Sequence, residues 1–131
     1  MLVDSNIIIY AAQPEHSFLQ DFIEEHAPSV SAISYVEVVG YHKLTAEDRQ
    51  HFEEFFASAG VLPVSDGVIK QAAQLRQQRK MALADAIVAG TALQYQKTLI
   101  TRNTGDFDWV PGLKLLNPFV SLPGSKILPG S

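Results

Sequence analysis

The chain has 131 residues, 47% of them hydrophobic and 18% charged. That is the size of one domain, with enough apolar material for a core and too little charge for a disordered polymer. It has no cysteine, and ten Lys+Arg stand against 14 Asp+Glu for a net charge of −4, so disulfides, thiolate metal sites and a grip on nucleic acid through bulk positive charge are all excluded.

Short apolar runs alternate with helical patterns, which predicts parallel strands joined by crossover helices. Leu2-Val3 opens the first strand, stopped by the turn-forming Asp4-Ser5-Asn6. Ile7 to Ala12 is assigned to a buried helix, although its β-branched run is also compatible with a strand. Glu15 to His26 is amphipathic, with Phe18, Leu19, Phe22 and Ile23 on one face. Val30 to Ile33 is the second expected strand. Ser34-Tyr35-Val36-Glu37 has capping-box spacing, so a helix is expected from there to about Lys43. Thr45 caps a helix through Ser58 with Phe52, Phe55 and Phe56 inward. Val61-Leu62-Pro63-Val64 is an edge strand or a loop, because Pro63 cannot donate to a central ladder.

Ser65 or Asp66 caps the next helix, which covers Val68, Ile69, Ala72, Ala73 and Leu75. Leu83 to Leu93 is a helix with small residues on nearly every face, as packing on several sides requires. Thr98 to Thr101 is a strand, Arg102 to Asp106 the loop leaving it, and Leu113 to Leu116 a last short strand. From Pro118 the composition turns to Pro, Gly and Ser, and Leu-Pro-Gly-Ser occurs at 122–125 and again at 128–131. Residues 1–119 are therefore taken as the domain, and 120–131 as a mobile tail with no assigned role. An acid stands where a signal peptide would be basic, and Leu83 to Leu93 is too short to span a bilayer. A cytoplasmic protein with no membrane contact is expected.

Four acids fall where a parallel sheet presents side chains to solvent: Asp4 ends the first strand, Glu37 follows the second, Asp85 opens the small-residue helix, and Asp106 follows the strand at 98–101. Ligands of open α/β sheets bind beyond the carboxyl ends of the strands. Carboxylates converging there without bases repel one another, and a divalent cation with all-oxygen ligation, Mg²⁺ or Mn²⁺, is the natural remedy. Each acid alone also has a structural role open to it: an Asx-turn for Asp4, the capping box for Glu37, the helix dipole for Asp85, a plain turn for Asp106. Ser5, Asn6, Thr101 and Asn103 are polar neighbours able to orient water or support the acids. Arg102 stands beside the site. The four histidines lack metal-ligand spacing and are read as structural, and Trp109 with Phe107 as packing for the post-strand loop.

Charge is unevenly spread: residues 1–65 hold ten acids and two bases, residues 66–131 four acids and eight bases. The run Lys70, Arg76, Arg79, Lys80 is a solvated helix face or a surface that tracks phosphates.

Asp4-Ser5-Asn6 after a Leu-Val strand resembles the opening motif of PIN-domain proteins. Ser34-Tyr35-Val36-Glu37, Leu83 to Ala89, and Leu99 to Phe107 are similar to their second, third and fourth acidic motifs. The size and the ending Pro111-Gly112-Leu113 to Asn117-Pro118 resemble the VapC toxins of toxin–antitoxin pairs. The resemblance implies a single three-layer α/β/α domain around a central parallel sheet, and a Mg²⁺- or Mn²⁺-dependent endoribonuclease that hydrolyses RNA with a metal-activated water. Asp4, Glu37, Asp85 and Asp106 would be catalytic and metal-binding, Asp4 and Asp85 chief among the ligands. Asn6, Thr101, Arg102 and Asn103 would support them or position substrate. Asp108, two residues beyond Asp106, is a second candidate for its place. The resemblance also implies a homodimer and a cognate antitoxin partner. Two alternatives stay open: a non-catalytic module that binds RNA or protein, and a Mg²⁺-dependent aspartyl-phosphate phosphotransferase. The latter is disfavoured, because one type would want an Asp where Asn6 stands.

Overall fold

The computed structural model describes residues 1–121. Strands β1 (Leu2–Val3), β2 (Ser29–Ser31), β3 (Gly60–Leu62), β4 (Leu99–Ile100) and β5 (Leu115–Leu116) form one sheet in the order β3-β2-β1-β4-β5. Every pairing is parallel. The central register sets Leu2 beside Leu99 and Val3 beside Ile100. Successive strand residues face opposite sides, so one pair serves each face: Val3 and Ile100 join the apolar cluster of Ile7, Leu19, Phe22, Val38, Phe52 and Phe56. Leu2 and Leu99 join Leu75, Val88, Ala89, Ala92 and Phe107.

Those clusters define the outer layers. One holds α1 (Ser5–Ala11), α2 (Ser17–His26), α3 (Ala32–Val39) and α4 (Ala46–Ser58), and the other α5 (Asp66–Gln78), α6 (Leu83–Gln94) and the short α7 (Thr104–Phe107). This is the expected α/β sandwich with a parallel sheet. All strands point one way, so the residues leaving β1, β2 and β4 emerge along a single edge. Helices α5 and α6 approach closely at Gly90, where a Cβ would lie 2.9 Å from the Val68 carbonyl oxygen and 3.2 Å from the Ala72 nitrogen. No helix of the described residues is long and apolar enough to cross a membrane.

The structure departs from the sequence expectations at several boundaries. Strand β2 ends at Ser31, whose hydroxyl accepts from the Ile33 N–H and caps α3. The helix therefore begins two residues earlier than Ser34 and ends at Val39, and Ser34 is buried inside it. Of the apolar residues on α5, Val68, Ala72 and Leu75 are buried and Ile69 is exposed. The loop after β4 contains α7. Pro118–Ser121 forms a last helical turn, α8, with Phe119, the last residue expected in the domain, buried against Tyr10 and Phe18. The repeated Leu-Pro-Gly-Ser segments lie outside the described residues.

Candidate active site

Asp4 leaves β1 at the centre of the sheet and is buried. Its N–H donates to the Ile100 carbonyl at 2.9 Å, prolonging the ladder by one residue. It precedes the first residue of α1, yet its carboxylate makes no cap on that helix. Instead the carboxylate accepts the Thr101 hydroxyl at 2.9 Å, from a residue 97 positions away. The fully buried Thr101 is held in turn by the Asn103 N–H, which donates to its Oγ1 at 3.1 Å. The Asx-turn role open to Asp4 in the sequence is thus not the one the fold uses.

Burial pushes the Asp4 carboxyl up to about 6 from its ordinary 3.8, and the negative charges of Asp85 and Glu37 add to the rise against the lowering by Thr101 and the Ser5 backbone. Asp85, in the first turn of α6 and half-buried, is also raised, first by loss of water and then by Asp106 and Glu37. The helix N-terminus favours an anion at that position, but it does not offset the crowding of acids. Among the described residues the one ion pair is His26 with Glu25, and no Lys or Arg neutralises Asp4 or Asp85.

Glu37 is exposed on α3 and has no capping duty, since Ser31 performs it. Its Oε1 lies 2.7 Å from the Ser5 hydroxyl, and Ser5 lies 2.8 Å from the Ser34 hydroxyl. A carboxylate only accepts, so the Ser5 proton goes to Glu37 and Ser34 supplies the proton to Ser5. This relay ties the start of α1 to α3. A second buried relay ties α3 to α6. Thr91 gives its proton to the Ile87 carbonyl at 2.7 Å, and Ser31, 3.2 Å away, donates to Thr91. Nothing in the sequence singles out Ser31 or Thr91, and Ser34 is read there as a helix cap rather than as a partner of Ser5. Ser34 was legible in principle, because it stands three residues before Glu37 on one helix face.

Asp106 is exposed on α7 and is the acid of its loop that Asp85 feels; Asp108, at the end of that helix, is not among the charges that raise Asp85. Asn6 and Asn103 are exposed, and among the described residues neither makes a side-chain hydrogen bond. Arg102 does not reach the acids: its guanidinium stacks 4.1 Å over the Phe119 ring and 5.3 Å from that of Tyr10. Arg76 on α5 donates to the Met81 carbonyl, and Arg79, just past its end, lies over Trp109, whose own N–H donates to the Asp106 carbonyl.

Asp4, Glu37, Asp85 and Asp106 therefore share one field at the carboxyl edge of the sheet. Among the described residues, however, no three acids or histidines are drawn together tightly enough to enclose a metal ion. That disposition suits Mg²⁺, which keeps several of its waters and takes one or two carboxylates. An oxygen-only donor set, a buried carboxylate and no competing base are the chemistry such an ion takes.

A model of the PIN domain family matches residues 1–113. No curated protein sequence matches significantly. The fold is similar to a chain of a toxin–antitoxin complex from Klebsiella pneumoniae, at 29% identity over 89% of this chain and 96% of that one, with a TM-score of 0.72. It is also similar to a chain of FitAcB from Neisseria gonorrhoeae (24% identity, 90% and 97% covered, TM-score 0.73). A third is DNA-bound VapBC from Salmonella typhimurium (19% identity, 88% and 95% covered, TM-score 0.78). At these lower identities the likeness is one of fold.

Proposed function

Because the chain belongs to the PIN domain family, we propose that it is a Mg²⁺- or Mn²⁺-dependent endoribonuclease, the toxin of a type II toxin–antitoxin pair of the VapC kind. The observation that carries this reading is Asp4: a buried carboxylate, raised to about 6 and pressed by Asp85 and Glu37, with no protein cation beside it. A scaffold that only bound protein would be more stable without such a group. A site that recruits a divalent cation requires it.

When bound, the ion makes water more acidic and offsets the charge that develops on a phosphodiester under attack. The chain's residues do the rest. Asp4 and Asp85 present oxygen donors from β1 and α6. Thr101 fixes the Asp4 carboxylate through its hydroxyl, and Ser5 fixes Glu37. Glu37 and Asp106, both exposed, are placed to accept protons from water or to steady the hydrated ion. Asn6 and Asn103 offer free amides to the sugar–phosphate backbone. The acidic rim attracts the basic segment of an antitoxin, which accords with the toxin–antitoxin complex among the similar structures. We propose that the protein works in the cytoplasm, where its RNA substrate is, and as a homodimer, to be tested by light scattering.

The test is cleavage of total RNA with cut-site mapping. Asp4→Asn and Asp85→Asn should each lower the rate by about 100-fold or more while circular dichroism shows the fold intact. Cleavage at the parental rate with equal Mg²⁺ would overturn the assignment.

A further inference from the structure

Arg102 is the base nearest the acids in the chain, following the very Thr101 that holds Asp4, and it pairs with no acid among the described residues. Its guanidinium rests on two aromatic rings instead, Phe119 at 4.1 Å and Tyr10 at 5.3 Å. A ring face attracts the flat face of a guanidinium, so the N–H donors in its plane stay free. The platform is itself braced: Phe119 is buried and meets Tyr10, His16 and Phe18 edge-on at centroid distances of 5.3, 5.1 and 5.3 Å. An exposed guanidinium that lies over an aromatic ring and has no partner among the described residues keeps its fork of donors available for a phosphate.

Its position fits as well. Tyr10 lies six residues along α1 from Asp4, or about 9 Å at the helical rise. Asn6 and Tyr10 are four residues apart on one face of that helix. Asp4, Asn6 and Arg102 therefore line a path along α1. We propose that Arg102 is a phosphate clamp that seats the RNA backbone one step from the acidic centre, and that Phe119 is a positioning residue acting through it. This rests on the ribonuclease reading above.

The experiment measures binding of a short labelled single-stranded RNA by fluorescence anisotropy over a salt series with Mg²⁺ present, each variant in an Asp85→Asn background so that no cutting intervenes. Arg102→Ala should weaken binding about 10-fold and flatten the slope of log affinity against log salt by about 0.7, the value of one single-strand phosphate contact. Arg102→Lys keeps the charge and loses the stack, so the slope should stay while affinity drops roughly threefold. Phe119→Leu, which stays apolar but leaves a small void, should behave like Arg102→Lys when measured well below its melting temperature. In the cutting-competent chain Arg102→Ala should raise KM with kcat kept within about twofold. If Arg102→Ala lowers only the melting temperature, with affinity and slope unmoved, the clamp is refuted while the ribonuclease stands. If the parent neither cuts nor binds RNA with Mg²⁺ or Mn²⁺, both fall.

Discussion

Asp4 works against the fold that holds it. Its carboxyl titrates at about 6 in the folded chain against an ordinary 3.8, so folding favours the protonated form. Its contribution to stability is full below about pH 4 and is lost as pH rises through about 6. Near neutrality the charged group thus costs the metal-free protein about 2–3 kcal/mol. Asp4→Asn should therefore raise the melting temperature of the metal-free protein at neutral pH and leave it unchanged near pH 4, read by thermal denaturation at both. On the proposed reading, cleavage at subsaturating Mg²⁺ should fall as pH drops through about 6, because protons compete with the ion for Asp4. Saturating Mg²⁺ should shift that limb to lower pH. Thr101→Val removes the hydroxyl that Asp4 accepts. We expect that limb to move to higher pH, with a stability loss of about 1–2 kcal/mol. A profile unmoved by the substitution would show that Thr101 does not tune Asp4.

At the scale of elements, α6 brings Asp85 into the site, and its depth against α5 is set by Gly90. A methyl group there would press on the Val68 carbonyl and the Ala72 nitrogen, backbone that cannot turn aside. Gly90→Ala gains helix propensity of about 1 kcal/mol, but overpacking costs about 1–3 kcal/mol. We expect a lower melting temperature and slower cleavage as α6 is displaced. An unchanged or raised melting temperature would show that the two helices have room to spare.

The small residues of α6 announced its close packing in the sequence, and the Thr45 and Ser65 caps were readable because each precedes a clean helical pattern. The start of α3 was not. Ser29, Ser31 and Ser34 are all locally credible caps, and the choice of Ser31 is tied to Thr91, sixty residues away. Helices α7 and α8, four residues each, are too short to leave a periodicity. The acids were legible as strand-end residues. The stacking of Arg102 on Phe119 was not, because nothing local links a loop base to a ring seventeen positions on.

For the whole molecule, the two charge-rich halves meet at one edge of the sheet, Asp4 and Glu37 from the first and Asp85 and Asp106 from the second. A cation bound between them stabilises the folded state in proportion to the logarithm of its concentration. Adding Mn²⁺ to the parent should raise the melting temperature progressively, and the gain should vanish in Asp4→Asn and shrink below about pH 6. A gain that persists in Asp4→Asn would place the ion elsewhere.

The sheet order carries a consequence for synthesis. Strand β1 is made first, but its neighbour β4 and the hydroxyl that fixes Asp4 arrive 97 residues later, and Phe119 later still. A growing chain on the ribosome, surrounded by RNA, therefore holds no assembled centre until nearly all of the domain has emerged. Any product of early termination before β4 would lack both the Thr101 hydroxyl and the Asp106 carboxylate.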